Sequence, residues 1–317
     1  MMDRIASIEI FKYSIPFLKP LLLFSSKLQK REGFIIRVRY KEAPCRYAEV
    51  APLQDISKEN MDDAYIQLVN VCELLKKNEQ FEIDKLYPSV LFGLLSINNF
   101  YSKEFTIPYS GLLYHEQKVH KFKPTLNTYK LKISKLSVDE AISVVKQLKS
   151  RFKELKLRLD VNQVWSLQDA LYFLDKFSPD DFEYIEEPCK TISDTKEIMK
   201  RTNHKIAIDE SLAYWKIKEL IKYPNIEALI IKPMLTNFLK YIKCKIPLVF
   251  SSTFESSIGL LNTARLSTIY SRKLPGLDTL KFLKCDVLKE PIQFGSEMSF
   301  SLPINLNEAI LKLCHRV

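Results

Sequence analysis

Glycine is scarce in this chain. Six occur among 317 residues, and neither the GxGxxG fingerprint nor the P-loop pattern can be found. That argues against a dinucleotide or nucleoside-triphosphate site. Cysteine spacing carries no scaffold either. Cys45, Cys72, Cys189, Cys244, Cys285 and Cys314 form no CxxC pair, and none has a histidine at zinc-finger spacing. Neither a disulfide framework nor a structural zinc is expected, and reduced thiols in the cytoplasm fit this usage. Long apolar runs are missing: Leu21-Leu22-Leu23-Phe24 is far short of the ~20 residues that span a bilayer. Met1-Met2-Asp3-Arg4 lacks a signal-peptide pattern, so no membrane partner is expected. Acidic residues are outnumbered, 38 against 48 lysines and arginines, for a net charge of +10. The lysines are dispersed, which suits solvated helix faces better than a nucleic-acid footprint. A nucleic-acid binder would cluster basic and aromatic residues and bind with steep salt dependence. The same positive field would draw in a small anionic carboxylate substrate.

What is present is ample apolar material. Hydrophobic residues make up 46% and charged residues 27%, the balance of a folded enzyme and not of a disordered chain. The length allows one large barrel or two domains. The first hundred residues read as a strand-rich lobe followed by helices. Ile5 to Tyr13 and Gly33 to Tyr40 alternate with period two near their ends, the signature of strands. Tyr47 to Pro52 reads as a third. Lys19 to Arg31, polar and basic at its end, reads as a mobile loop between the first two. Asn60 to Lys77 carries Ala64, Leu68, Val71, Leu74 and Leu75 near one helical face, and Pro88 to Phe100 reads as a second helix.

From about Ile107 the texture changes to alternation. Strands are expected at 129–133, 156–160, 182–187, 205–209, 228–232 and 247–252. Ser137 with Glu140, and Ser166 with Asp169, form capping boxes that open helices between them. Ser193 is a candidate cap for a third helix, and Tyr214 to Tyr223 reads as a fourth. Strand alternating with helix implies parallel pairing, hence a barrel or a doubly wound sheet.

Five reactive residues each close one of those strands. They are Lys132, Asp160, Glu186, Asp209 and Lys232, separated by 28, 26, 23 and 23 positions, about one strand-helix unit each. In a parallel barrel all such ends share the face that carries the chemistry. Asp160, Glu186 and Asp209 are hard oxygen ligands suited to Mg²⁺, with Mn²⁺ as a substitute. A cation there would stabilise negative charge on a substrate oxygen. Lys132 and Lys232 come from well-separated strands and can face each other across it. A lysine beside a cation and a second ammonium has its neutral form favoured. Lys130, two residues before Lys132, can supply that second charge. Glu187 follows Glu186, and alternation sends only one of the two inward. Any one such residue has an ordinary structural explanation. Five in order at near-constant spacing are much harder to explain that way.

The order K-x-K, D, E, D, K resembles the enolase superfamily, in its muconate-lactonising-enzyme-like branch, whose sites use a Lys or His base with Mg²⁺. Longer stretches resemble the o-succinylbenzoate synthases of menaquinone biosynthesis within it. These are Arg31-Glu32-Gly33, Glu49 to Leu53, Pro88 to Gly93, Leu157 to Asn162, Glu186 to Lys190, Asp209 to Leu212, Ser251 to Ser257 and Pro275 to Leu280. Where the family often has Gly-x-Gly-Glu, this chain has Arg46-Tyr47-Ala48-Glu49, and Ser134 stands where it has a glycine.

The resemblance implies an α/β fold: a modified (β/α)7β TIM-type barrel over 101–294 with an α+β capping domain over 1–100. Residues 295–317 would be free to pack back on the cap. It implies a Mg²⁺-dependent lyase that dehydrates 2-succinyl-6-hydroxy-2,4-cyclohexadiene-1-carboxylate to o-succinylbenzoate through an enediolate. Lys132 would remove the α-proton and Lys232 would steady the anion from the opposite side. Ser251 and Gly276 match substrate-binding positions, and Asn162 and Arg158 match positions near the metal. Loops 19–31 and Ala51-Pro52-Leu53 would close over the barrel mouth. Two facing lysines equally permit an N-acylamino acid racemase or a dipeptide epimerase.

Overall fold

The structure is a computed structural model that describes residues 4–23, 26–98, 104–114 and 122–317. Two long strands, β1 (Ile5–Leu23) and β2 (Ser26–Tyr40), pair antiparallel, and β3 (Arg46–Val50) pairs with β2. Period-two alternation gives each strand two buried faces. Ile8 and Ile10 of β1, with Phe34, Ile36 and Val38 of β2, pack on helices α1 (Met61–Lys77) and α2 (Pro88–Asn98). Tyr13, Ile15 and Phe17, together with Ile35, face the other way into the core of the larger lobe. The sheet is therefore sandwiched, with helices on one side and the rest of the molecule on the other. Asn60 caps α1: its side chain accepts from the amides of Asp62 and Asp63, while Asp63 reaches back to the Asn60 amide. The helix stops at Asn78, whose left-handed φ of 59° turns the chain away.

The expected mobile loop at 19–31 is not a loop. β1 and β2 continue through it as a hairpin, with Leu21 opposite Leu28 and Leu22 opposite Lys27. The register slips between Pro16 and Leu21, where two prolines remove ladder donors. Positions 24 and 25 of that expectation lie outside the described residues, as do positions 99 and 100 of the helix expected to reach Phe100.

After β4 (Phe105–Ile107) comes the parallel sheet. Its strands are β5 (Gly111–Tyr114), β6 (Thr128–Lys132), β7 (Lys156–Asp160), β8 (Tyr184–Glu186), β9 (Ile206–Ile208), β10 (Ile226–Ile231) and β11 (Leu248–Phe250). They stand side by side in chain order. The ring closes through Gly276, which forms parallel bridges both to Ser251, just past β11, and to Ser110, just before β5. The Gly276 amide donates to Phe250 O and the Ser110 amide to Pro275 O, each at 2.9 Å. A Cβ at 276 would sit 3.0 Å from Ser251 Oγ, so glycine lets this last stave fit between its neighbours. Seven strands and a closing segment make the modified barrel.

Helices α3 (Val138–Arg151), α4 (Leu167–Leu174), α5 (Ile192–Arg201), α6 (Ile217–Leu220) and α7 (Ser257–Tyr270) follow β6, β7, β8, β9 and β11. The boxes at Ser137/Glu140 and Ser166/Asp169 form as expected. Thr191, not Ser193, caps α5. The helix expected over 214–223 is reduced to a 3-10 turn at Glu210–Tyr214 and the single turn of α6. Trp215 and Lys216 lie between those pieces. Among the described residues no helix is long and apolar enough to cross a membrane.

Alternation along the barrel strands separates two environments. Leu131, Leu159, Ile185, Ile208 and Leu229 face the helices as part of the main core. Tyr184, Ala207, Ala228, Ile230 and Val249 form a separate cluster inside the barrel. Two final short strands, β12 (Gln293–Phe294) and β13 (Met298–Phe300), pair with each other and with β4. The last strand, β14 (Leu311–Arg316), pairs antiparallel with β1.

That return is pinned by charge. Glu9 of β1 is 2% exposed and binds Arg37 at 2.7 Å, Arg39 at 3.1 Å and Arg316 of β14. Burial alone would raise its pKa, but the three guanidiniums outweigh burial and lower it from 4.5 to about 2. A depressed carboxylate stabilises the fold above its unfolded pKa, and that stability is lost as pH falls. Glu9→Gln should therefore cost about 1–2 kcal/mol at neutral pH, because solvent screens the half-exposed Arg39 and Arg316. It should also flatten the fall in stability between about pH 4.5 and pH 2. Denaturant unfolding across that range checks this; an unchanged pH profile would show that the three arginines are solvated and not clamped.

Candidate active site

The parallel register aligns side chains across strands. Tyr114, Lys132, Asp160 and Glu186 occupy one row at the ends of β5 to β8. Leu112, Lys130, Arg158 and Tyr184 form the row beneath. Asp209, Lys232 and Ser251 each lie one residue past β9, β10 and β11. The five expected residues and Lys130 form one contiguous cluster at the carboxyl ends of the strands. Lys130 Nζ is 3.1 Å from Asp160 and 3.0 Å from Glu186. Lys132 Nζ is 3.3 Å from Asp160 Oδ2. Lys232 Nζ pairs with Asp209 and lies 3.5 Å from Glu210 Oε1.

The electrostatics are those of too much negative charge in too little water. Asp160 and Glu186 are 1% and 0% exposed. Burial and the neighbouring Asp160 push Glu186 well above the ordinary carboxyl range, with Asp209 adding to the effect. Burial also penalises Asp160, but Lys130, Lys132 and Lys232 outweigh it and hold Asp160 well below its usual value. Burial works against the charge on Lys130 and Lys232. Asp160 and Glu186 overcome it for the first, Asp209 and Glu210 for the second, so both stay ammonium.

This donor set fits a hard divalent cation. It offers carboxylate oxygens only. Both Asp160 oxygens are buried without an aligned hydrogen bond, which costs energy unless a charge supplies what water would. Among the described residues no three acidic or imidazole side chains already converge on one metal-sized point; the ammonium of Lys130 reaches between two of the carboxylates instead.

Several supporting residues were not legible in the sequence. Glu187 is 1% exposed, contrary to the expectation that one of the two glutamates points out. β8 ends at Glu186, and Glu187 adopts a left-handed φ of 45°, so strand alternation no longer applies. Its carboxylate accepts from the amides of Asp209 (2.8 Å) and Ser211 (2.9 Å), the Ser211 hydroxyl (2.7 Å) and Gln163 Nε2 (2.9 Å). It thereby orients the main chain that carries Asp209. Asn162 bridges the two sides of the cluster: Lys132 donates to its Oδ1 at 3.4 Å, and its Nδ2 donates to Glu210 at 3.3 Å. Glu210, pushed up to about 7 by burial and by Asp209, was missed; its position beside Asp209 was the only available signal. Asn162, Gln163, Glu187 and Phe254 all have φ between 45° and 63°, and each follows a barrel strand. Left-handed backbone in non-glycine residues is costly and collects at functional sites.

Arg158, expected near the metal, faces the barrel interior one row below the carboxylates. It makes a forked pair with Glu183 (2.9 and 3.1 Å), donates to Ser110 Oγ (3.2 Å) and Leu274 O (2.8 Å), and lies over the Tyr184 ring. Its work is to tie β7 to the two segments that close the ring. Ser251 and Gly276 face each other across that closure, at the same end as Lys232. The first lobe reaches this end too. Phe17 of β1 packs edge-on to Phe254, which packs on Phe282, which packs on Tyr114.

Comparison with known proteins gives two family matches, an Enolase C-terminal domain-like model over residues 116–236 and a MenC N-terminal domain model over residues 5–100. The chain is 30% identical over 309 residues to the o-succinylbenzoate synthase of Haemophilus influenzae, covering 89% of this chain and 92% of that protein. Its fold is similar to that of a Thermosynechococcus elongatus o-succinylbenzoate synthase with Mg in its active site: TM-score 0.69, 20% identity, 88% and 94% of the two chains. It is also similar to a Cytophaga hutchinsonii dipeptide epimerase complexed with Mg and a dipeptide: TM-score 0.72, 16% identity, 99% of each chain.

The role given to Glu187 has a direct consequence. Glu187→Ala strands buried donors at Asp209 and Ser211, and should destabilise the protein by about 3 kcal/mol. Denaturant unfolding measures this, and a change under about 1 kcal/mol would show that water replaces the carboxylate.

Proposed function

Because this chain belongs to the o-succinylbenzoate synthase family of the enolase superfamily, we propose that it dehydrates 2-succinyl-6-hydroxy-2,4-cyclohexadiene-1-carboxylate to o-succinylbenzoate. The observation that carries the reading is the cluster of Asp160, Glu186 and Asp209 flanked by Lys132 on one side and Lys232 on the other. Asp160, Glu186 and Asp209 would hold Mg²⁺, or Mn²⁺ in its place. The cation, when bound, stabilises negative charge on the substrate carboxylate. It also relieves the mutual repulsion that pushes Glu186 up.

Lys132 removes the proton α to the ring carboxylate. Loss of that proton sends electron density into the carboxylate, and the ring then expels its hydroxyl. Lys132 returns the proton to the departing oxygen, so water leaves and the ring becomes aromatic. The amine is positioned for this by Asn162 and Asp160. Lys232, held as an ammonium by Asp209 and Glu210, offsets the developing anion from the far side and needs to move no proton. Ser251 and Gly276 bind the substrate's carboxylate or succinyl arm. Residues 1–100 form the cap and 101–294 the barrel; of the remainder, β14 returns to the cap while β13 pairs with β4. The dispersed lysines and unpaired cysteines suit a cytoplasmic enzyme acting on a small anion. Lysines on opposite sides of the carboxylates also favour a second reading, two-base racemisation of N-acylamino acids or dipeptides.

Ultraviolet absorbance of the diene substrate tests the reading. Wild-type protein with Mg²⁺ should bleach the diene at enzyme-like rates, and EDTA should stop it. Lys132→Ala should abolish turnover while leaving folding and metal binding intact. Diene loss that persists in Lys132→Ala would remove this lysine from the mechanism. No turnover by folded, metal-loaded wild type would move the assignment to the racemase reading.

A further inference from the structure

Lys232 has two carboxylates within reach, and they come from adjacent residues. Its ammonium pairs with Asp209 and lies 3.5 Å from Glu210 Oε1. Consecutive residues of a strand point to opposite faces, so a regular strand could not send both to one amine. Here β9 ends at Ile208, and Glu210 opens a 3-10 turn. The Glu187 carboxylate fixes that bend by accepting from the amides of Asp209 and Ser211. Asp209 and Glu210 therefore present their oxygens to the same side.

The two contacts are not equivalent. Asp209 is one of the three carboxylates suited to a cation, and a cation and an ammonium compete for one carboxylate. A divalent ion on Asp209 would draw off the charge that holds Lys232 and repel the ammonium beside it. A lysine left without a partner in such a place is costly, and the Lys232 side chain, 19% exposed, recovers less from solvent than a surface lysine does. Glu210 is placed to take it. Its Oε1 already accepts from Asn162 Nδ2 at 3.3 Å, which anchors the carboxylate from the Lys132 side, because Asn162 Oδ1 accepts from Lys132 at 3.4 Å. Its Oε2 is buried and, among the described residues, accepts no hydrogen bond. An unmade hydrogen bond of this kind is a standing cost. A small shift of the ammonium from Asp209 towards Glu210 satisfies that oxygen and frees Asp209.

We propose that Glu210 is a positioning residue: it receives Lys232 when a cation occupies Asp209, and so keeps that amine in place in the metal-loaded protein. This rests on the functional reading above. Glu210 touches no reacting atom and acts through Lys232. Without it, Lys232 and the cation are left in competition for Asp209, so Glu210 supports metal binding without being a ligand of the metal.

Calorimetric titration of folded, metal-stripped protein with Mg²⁺ tests this independently of turnover. Wild type, Glu210→Gln, Lys232→Ala and the double variant are compared. Glu210→Gln should weaken Mg²⁺ binding roughly tenfold, the effect of losing one charge-assisted hydrogen bond. In the Lys232→Ala background the same change should alter affinity less than about twofold, because the competitor is gone. Glu210→Asp keeps the charge but shortens the arm, and should weaken binding about as Glu210→Gln does; it makes the same comparison where Glu210→Gln does not fold. At saturating Mg²⁺, Glu210→Gln should lower kcat about tenfold and move KM less than about threefold. Equal weakening by Glu210→Gln with and without Lys232 would show that the carboxylate acts on the cation directly, and overturns the proposal. So does unchanged affinity in Glu210→Gln and Glu210→Asp. Absence of saturable Mg²⁺ binding by folded wild type overturns the functional reading and this proposal together; saturable wild-type binding with additive effects of the two substitutions overturns this proposal alone.

Discussion

Three carboxylates brought together out of water is the condition around which this molecule is arranged. Asp160, Glu186 and Asp209 arrive from successive strands of one barrel, and the first two are almost wholly buried. Repulsion in such a place is large because little solvent screens it. Three lysines answer it. Lys130 lies between Asp160 and Glu186, Lys132 beside Asp160, and Lys232 against Asp209. The residual excess is visible in Glu186, which stays pushed up despite the ammonium next to it. A bound cation would remove that excess, and the arrangement puts one amine on each side of the carboxylates.

The scaffold serves this cluster through rigid secondary contacts. Glu187 and Ser211 fix the backbone at Asp209. Asn162 links Lys132 to Glu210, so the two flanking lysines are held by one chain of polar contacts. Below, Arg158 and the closing bridges at Gly276 keep the ring round. Above, the double-faced sheet of the first lobe packs Phe11, Tyr13, Ile15 and Phe17 of β1 into the main core while Ile8 and Ile10 pack with α1 and α2. Every residue of α7 from Ser257 to Ser267 is buried. Glu49 reaches that helix from the other lobe, so the lobes meet through buried hydrogen bonds as well as apolar surface.

Much of this could be read from the chain before any coordinates. Apolar runs ending in charge marked the strands, because a parallel strand has both faces covered and only its end opens to chemistry. Capping boxes at Ser137 and Ser166 marked helix starts because their logic is local. What could not be read was decided by tertiary packing. The stretch 19–31 looks polar, but antiparallel pairing of Leu21 with Leu28 and of Leu22 with Lys27 puts it in strands. Glu187 obeyed alternation in sequence and broke it in space, because a left-handed backbone follows β8. Arg158 sits two residues from a metal-ligand candidate but one layer lower, and a row in a barrel is set by register between strands, not by distance along one. The polar partners Glu210 and Gln163 have no periodic signature at all.

The most direct test of the account is calorimetric titration of metal-stripped, folded protein with Mg²⁺, for wild type and for Asp209→Asn. The account predicts saturable binding of one ion per wild-type chain, with a rise in unfolding temperature on binding. It predicts that Asp209→Asn weakens that binding by at least tenfold, about 1.4 kcal/mol. Absence of saturable binding by folded wild type, or equal affinity in Asp209→Asn, would contradict the claim that these carboxylates are gathered to hold a cation.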